Sequence, residues 1–262
     1  MPYAHVNAAN LYYQQTGAGP DLVFLHGAGG NHLSWWQQTP AFSDAFRVTT
    51  YDARGWGKSS GDMDVGRFVL GTDLVALMEH LGIERAHVVA QSMGGRAVAG
   101  LTRLAPQKIR SITLCGTTAG ATNDRIRELQ DELKDERGEG GLREHALAKP
   151  FEAAQPALAH LYRQINALNP PRPKNFLGRP PATYRGSMHD PLSALGVPIQ
   201  FIVGEFDMIT SPAMIREAHA LVAGSRFHEI KGAGHSAYFE ASAEYNDVLG
   251  SFLCGPASEH AA

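Results

Sequence analysis

The chain has 262 residues, 44% hydrophobic and 19% charged, with a formal net charge of −3 at pH 7. This length suits one α/β domain, and the apolar fraction supplies a sizeable core, which excludes wholesale disorder. The slight acidity leaves no basic footprint for nucleic acid and no polybasic arm for an anionic membrane.

The N-terminal MPYAHVNAANLYY has no basic segment leading into an apolar one. No run approaches the ~18 apolar residues of a membrane span, so a cytoplasmic protein with no membrane partner is expected. DLVFLH (21–26) and FRVTTYD (46–52) read as strands. Residues 66–82 place Leu70, Leu74, Leu77, Met78 and Leu81 at helical spacing, and Gly82 stops that helix. HVVA (87–90) is a strand, residues 94–106 form a helix of small residues ended by Pro106, and RSITLCG (110–116) is again a strand. After a long gap come a strand at IQFIVG (199–204), a helix at 214–222, a short strand at RFHEI (226–230) and a closing helix at 240–253. Continuous apolar strands alternating with helices imply an α/β fold, a mostly parallel sheet flanked by helices on both faces, with ligands beyond the carboxyl ends of the strands. Of the two cysteines, Cys115 sits in the apolar run ITLC and reads as a buried thiol; two cysteines so far apart make no disulfide framework.

About eighty residues separate Gly116 from Ile199 without a clear strand. They carry a charged helical pattern (NDRIRELQDELKDERGEG), a second helical stretch (AQPALAHLYRQINALN) and a proline-dense segment at 169–181. A helical insertion placed over the sheet accounts for this better than a structureless loop. The expected division is a core of residues 1–119 and 197–255, a helical cap at 120–196 inserted after the sixth strand, and a short tail at 256–262.

HVVAQSMGGRAVAG (87–100) runs a strand straight into Ser92 and then a helix. Such a turn crowds Ala90 and Gly94 together, so both must be small. It holds the serine in a strained backbone with its hydroxyl above the sheet and a helix N-terminus beneath. The arrangement resembles the nucleophile elbow of the α/β-hydrolase family, with A-Q-S-M-G where G-x-S-x-G is usual. Three further segments extend the resemblance over residues from about 20 to 253. HGAGG (26–30) follows a strand; there the resemblance implies an oxyanion hole built from the backbone amides of Ala28 and Met93. YDARGWGKSS (51–60) also looks like this family, and Asp52 and Arg54 read as a structural ion pair with turn hydrogen bonds rather than as catalysts. IQFIVGEFD and RFHEIKGAGH end in Asp207 and His235, which the family's chain order of serine, acid and histidine marks as the rest of a triad. Glu205 is the rival acid.

What the resemblance implies is acyl transfer to water with no cofactor, on small carboxylic esters or lactones. Trp35, Trp36 and Tyr238 are candidates for an apolar pocket wall, with burial in the core as the alternative. The other eleven of the twelve histidines show no metal spacing, and no zinc or phosphate-binding motif occurs, so no metal is expected. Carbon–carbon bond hydrolases and cofactor-free haloperoxidases or perhydrolases share the S-M-G-G segment and stay as alternatives, as does a small-molecule receptor without turnover. The charged helix at 123–137 leaves a homo-oligomer open.

Overall fold

The run Asp21–Leu25 is buried on both sides: Val23 and Leu25 face one apolar cluster, Leu22 and Phe24 the other. The same alternation holds at Val88/Val89 and Phe201/Ile202, as a sheet covered on both faces requires. A computed structural model describes residues 2–61, 69–138, 141–171 and 186–255. Its strands are β1 (Tyr3–Val6), β2 (Ala9–Thr16), β3 (Asp21–Leu25), β4 (Arg47–Tyr51), β5 (Ser60–Gly61), β6 (Ala86–Gln91), β7 (Ile109–Cys115), β8 (Ile199–Gly204) and β9 (Arg226–Ile230). They form one sheet in the order β1-β2-β4-β3-β6-β7-β8-β9, with β5 beside β2. β1, β2 and β5 pair antiparallel, as do β2 and β4; from β4 to β9 all neighbours are parallel.

The helices are α1 (Gln38–Phe42), α2 (Val69–His80), α3 (Gly94–Leu104), α4 (Asp124–Arg137), α5 (Lys149–Ala154), α6 (Pro156–Ala167), α7 (His189–Ser193), α8 (Pro212–Leu221), α9 (Ala237–Glu240) and α10 (Ser242–Leu253). Leu74, Leu77 and Met78 of α2, Val98 and Leu101 of α3, and Ile215 of α8 fill one face. Phe42 of α1 and Tyr245, Leu249 and Phe252 of α10 fill the other. α2 ends as its glycine predicts: Gly82 adopts φ +64, and the amides of Gly82 and Ile83 bond back to the carbonyls of Glu79 and Met78.

Three expectations change. The helical insertion follows the seventh strand rather than the sixth, because Ser60 and Gly61 pair with Asn10 and Ala9 as an extra short strand. The β1–β2 hairpin is additional to the strands read above; Asn7 and Ala8 both have positive φ, the geometry of a tight primed turn, without the Asn-Gly sequence that normally announces one. The insertion also does not lie wholly above the sheet: α4 sends Ile126 and Leu133 into the core cluster, and Asn123 and Arg137 at its ends bond to Glu217 and to the carbonyl of Met208. Positions 66–68, most of the proline-dense segment and the tail at 256–262 lie outside the described residues.

Candidate active site

β6 ends at Gln91, α3 begins at Gly94, and Ser92 bridges them with φ +48, a conformation disfavoured for any residue with a side chain. Its amide is tied to the carbonyl of Cys115 on β7 at 2.9 Å, which fixes the turn to the sheet. The need for small neighbours is visible: a Cβ on Gly94 would sit 2.5 Å from the carbonyl oxygen of Leu25. Gly94→Ala is therefore expected to cost about 1–3 kcal/mol of stability through forced backbone shift, measurable by urea denaturation; an unchanged midpoint would contradict this reading of the turn.

Asp207 and His235 come from the loops after β8 and β9, beyond the same strand ends. His235 Nδ1 lies 2.8 Å from Asp207 Oδ2, and both residues are buried. The other carboxylate oxygen, Oδ1, accepts the amides of Ile209 and Thr210, each at 2.8 Å. With Nδ1–H donating to Asp207, the ring's Nε2 is left as a base. Glu205 is elsewhere, accepting from the amide of Gly232 and from Lys231. The pair rests against Gly116 at the end of β7: with φ +56, its missing Cβ would lie about 3.0 Å from His235 Nδ1 and 3.1 Å from Asp207 Oδ2.

Ser92, His235 and Ala28 open onto one cavity of about 970 Å³. Among the described residues the amides of Ala28 and Met93 have no hydrogen-bond acceptor, and Met93 is the N-cap of α3. Unfilled donors at a helix N-terminus favour a developing negative charge. The loop is shaped by its neighbours: a side chain on Gly27 would collide with the Gln91 amide oxygen, and Gln91 Nε2 in turn reaches the carbonyl of His235 at 3.2 Å. His26 is structural, as its ring bonds the carbonyl of Gly27 and accepts from the amide of Ala53.

The aromatic candidates are not in the wall. Trp35 is fully buried between Phe24 and Tyr238, with ring centroids at 4.7 and 4.6 Å. Tyr238 belongs to the same core cluster, and Trp36 is 40% exposed against Phe239. None of the three lines the cavity. Their nearness in sequence to the loop misleads because the short helix at His32–Trp35 turns its aromatic face to the core. The cavity wall comes instead from the inserted segment, including Leu142, Arg143, Tyr162, Arg163 and Asn166. These residues had no motif to mark them. Asn31 Nδ2 bonds the carbonyl of Ile165, and Asn169 bridges the carbonyl of Gly29 and the amide of Gly57, so α6 is stitched to the loop that carries Ala28.

Asp52 and Arg54 are structural, but not as a pair. Asp52 accepts from the amide and ring of His32 and from the amide of Lys58, whereas Arg54 forks onto Asp73 of α2 at 2.8 and 2.9 Å. Both partners are remote in sequence, which is why the shorter pairing suggested itself. Cys115 is buried and Cys254 exposed, both free thiols. Among the described residues no cluster of three metal-ligating side chains occurs, and no helix is long and apolar enough to cross a membrane.

Glu240 is a residue the sequence did not mark. Its carboxylate accepts the amides of Gly234 and Ser236, which flank His235, and of Ala148 in the insertion. Burial pushes its pKa from 4.5 up to about 7, against the pull of those amides. Because the folded state favours its protonated form, the stability it contributes is complete below pH 4.5 and is lost as pH rises through about 7. Buried His87, with its pKa pushed down to about 4, works oppositely, losing stability as pH falls from 6.5. Glu240→Gln is expected to flatten the decline in denaturation midpoint between about pH 4.5 and 7; an unchanged slope would contradict the assignment.

Comparison with known proteins agrees with this architecture. A family model described as the alpha/beta hydrolase fold matches residues 20–242. A protein of Mycobacterium tuberculosis, provisionally named a non-heme bromoperoxidase, is 28% identical over 93% of this chain and 97% of its own. The 2-hydroxy-6-oxononadienedioate/2-hydroxy-6-oxononatrienedioate hydrolase of Paraburkholderia phymatum is 36% identical over 42% of this chain, a match spanning 41% of that enzyme. A protein of Azorhizobium caulinodans, provisionally named a carbamate hydrolase, is 34% identical over 46% of each chain. The chain thus spans under half the length of two of these three relatives. An esterase structure from Thermogutta terrifontis superposes with a TM-score of 0.79 at 24% identity over 95% of both chains. The enol-lactonase of Burkholderia xenovorans superposes at 0.76 and 23% identity over 97% of this chain and all of that one. With the elbow, the strand order and a family match across most of its length, the chain belongs to the α/β-hydrolase family.

Proposed function

We propose that the protein is a serine hydrolase of small carboxylic esters or lactones, working through an acyl-enzyme on Ser92. The observation that carries this reading is the 2.8 Å contact of His235 Nδ1 with Asp207, in a cavity that His235 shares with Ser92 and Ala28. His235 Nε2 takes the proton as Ser92 Oγ attacks the carbonyl carbon. Asp207 holds the ring tautomer and stabilises the imidazolium. The amides of Ala28 and Met93 receive the negative oxygen, a donor of this kind contributing roughly 3 kcal/mol. The tetrahedral adduct collapses, the leaving alkoxide takes the proton from His235, and water then attacks the acyl-enzyme with His235 again as base. Every group named belongs to the chain, and the reading assigns no cofactor. A cavity of about 970 Å³ suits a small or medium substrate rather than a polymer surface.

The expected result with p-nitrophenyl acetate, p-nitrophenyl butyrate and a panel of γ- and δ-lactones is many turnovers per site. Arrest after about one event per site, with a ligand-dependent rise in melting temperature, would favour a receptor instead. A second reading, perhydrolysis of the same acyl-enzyme by hydrogen peroxide, draws support from the near full-length similarity to the bromoperoxidase-named protein. Peracid formation from a carboxylate and peroxide, exceeding ester hydrolysis, would favour it.

A further inference from the structure

We propose that the cavity selects esters or lactones that carry a carboxylate, which docks on Arg143; this rests on the hydrolase reading above. Among the described residues, the ionisable side chains lining the cavity are Arg143, Glu152, Tyr162, Arg163 and His235. Glu152, the one acid in the lining among the described residues, is already committed on both oxygens, to Lys149 at 3.0 Å and to Arg163 at 2.5 Å. Arg143 has no ion pair and no side-chain hydrogen bond among the described residues. Its neighbour Glu144 is engaged with the amide of Gly141 instead. The described lining therefore carries an excess of positive charge with one guanidinium unspent.

Arg143 is also held in register with the reacting groups. It sits on the short helix Leu142–His145; just beyond that helix, Ala146 accepts the amide of Ser236, the residue after His235, and Ala148 donates to Glu240. A guanidinium so placed presents a planar fork that matches a carboxylate bidentately, which a neutral substrate cannot use. Because Arg143 lies at the solvent-exposed rim, the gain is moderate and is screened by salt.

The test compares mono-p-nitrophenyl adipate with p-nitrophenyl hexanoate, which have the same chain length and differ in one carboxylate. In Arg143→Gln the adipate-to-hexanoate ratio of kcat/KM should fall about fivefold, through KM, as expected of a rim ion pair with some shielding. Arg143→Glu should lower it further, and the wild-type preference should shrink in high salt, the ratio of the two esters within each variant being the readout. Hexanoate turnover with an unaltered ratio in Arg143→Gln would overturn anion docking and leave the serine-hydrolase reading standing. Turnover of neither ester by the wild type would overturn both.

Discussion

Ser92→Ala is expected to lower ester turnover by at least about 10⁴-fold while leaving the fold intact. The loss follows from removing the atom that attacks; the cavity, the oxyanion donors and the His235–Asp207 pair all remain. Stability should move by less than about 1 kcal/mol, because alanine and serine bear similar strain at φ +48 and the anchoring bond to Cys115 is made by the backbone. Kinetics on the purified variant, with circular dichroism alongside, check both halves. Turnover within tenfold of wild type, in a preparation free of contaminating esterase, would remove Ser92 from the chemistry.

Asp207→Asn should cost about 10³–10⁴-fold in kcat, and the reason is specific to the hydrogen bonds around this side chain. Two amides, from Ile209 and Thr210, point at Oδ1, so the oxygen of an asparagine must stay there. Its NH₂ group then faces His235 Nδ1, where a proton acceptor is needed. The ring is forced into the tautomer that carries its proton on Nε2, toward Ser92, and can no longer act as the base. Glu205→Gln is the matched control: Glu205 bonds Gly232 and Lys231 near the surface, and its loss should change kcat by less than about twofold. A small effect of Asp207→Asn together with a large one of Glu205→Gln would reassign the acid.

The residues that were legible in sequence share a property: their signal is local. β3, β6, β7 and β8 are short runs buried on both faces, and Ser92, Asp207 and His235 stand in loops punctuated by glycine at strand ends. What escaped depended on distance along the chain. Arg54 finds Asp73 through the packing of α2, and Asn169 reaches back to Gly29 and Gly57 across more than a hundred positions. Glu240 is tied to three amides from two separate segments, which no spacing rule announces. The aromatic wall failed for a physical reason as well. Trp35 and Tyr238 are large apolar groups next to a covered sheet, and burial in the core removes more surface from water than a place on an open cavity would. The cavity is lined instead by residues of the insertion such as Arg143, Tyr162, Arg163 and Asn166, where the helical pattern announces a helix but no motif announces a wall.

The central claim is that Ser92 is a nucleophile activated by His235 and Asp207. Intact-protein mass spectrometry after exposure to a fluorophosphonate tests it most directly, with peptide mapping and p-nitrophenyl butyrate turnover on the same sample. The account predicts a single adduct per chain, mapped to Ser92, absent from Ser92→Ala, and loss of turnover in step with labelling. A folded protein that takes up no adduct, or one that hydrolyses the ester undiminished after complete labelling, would contradict it.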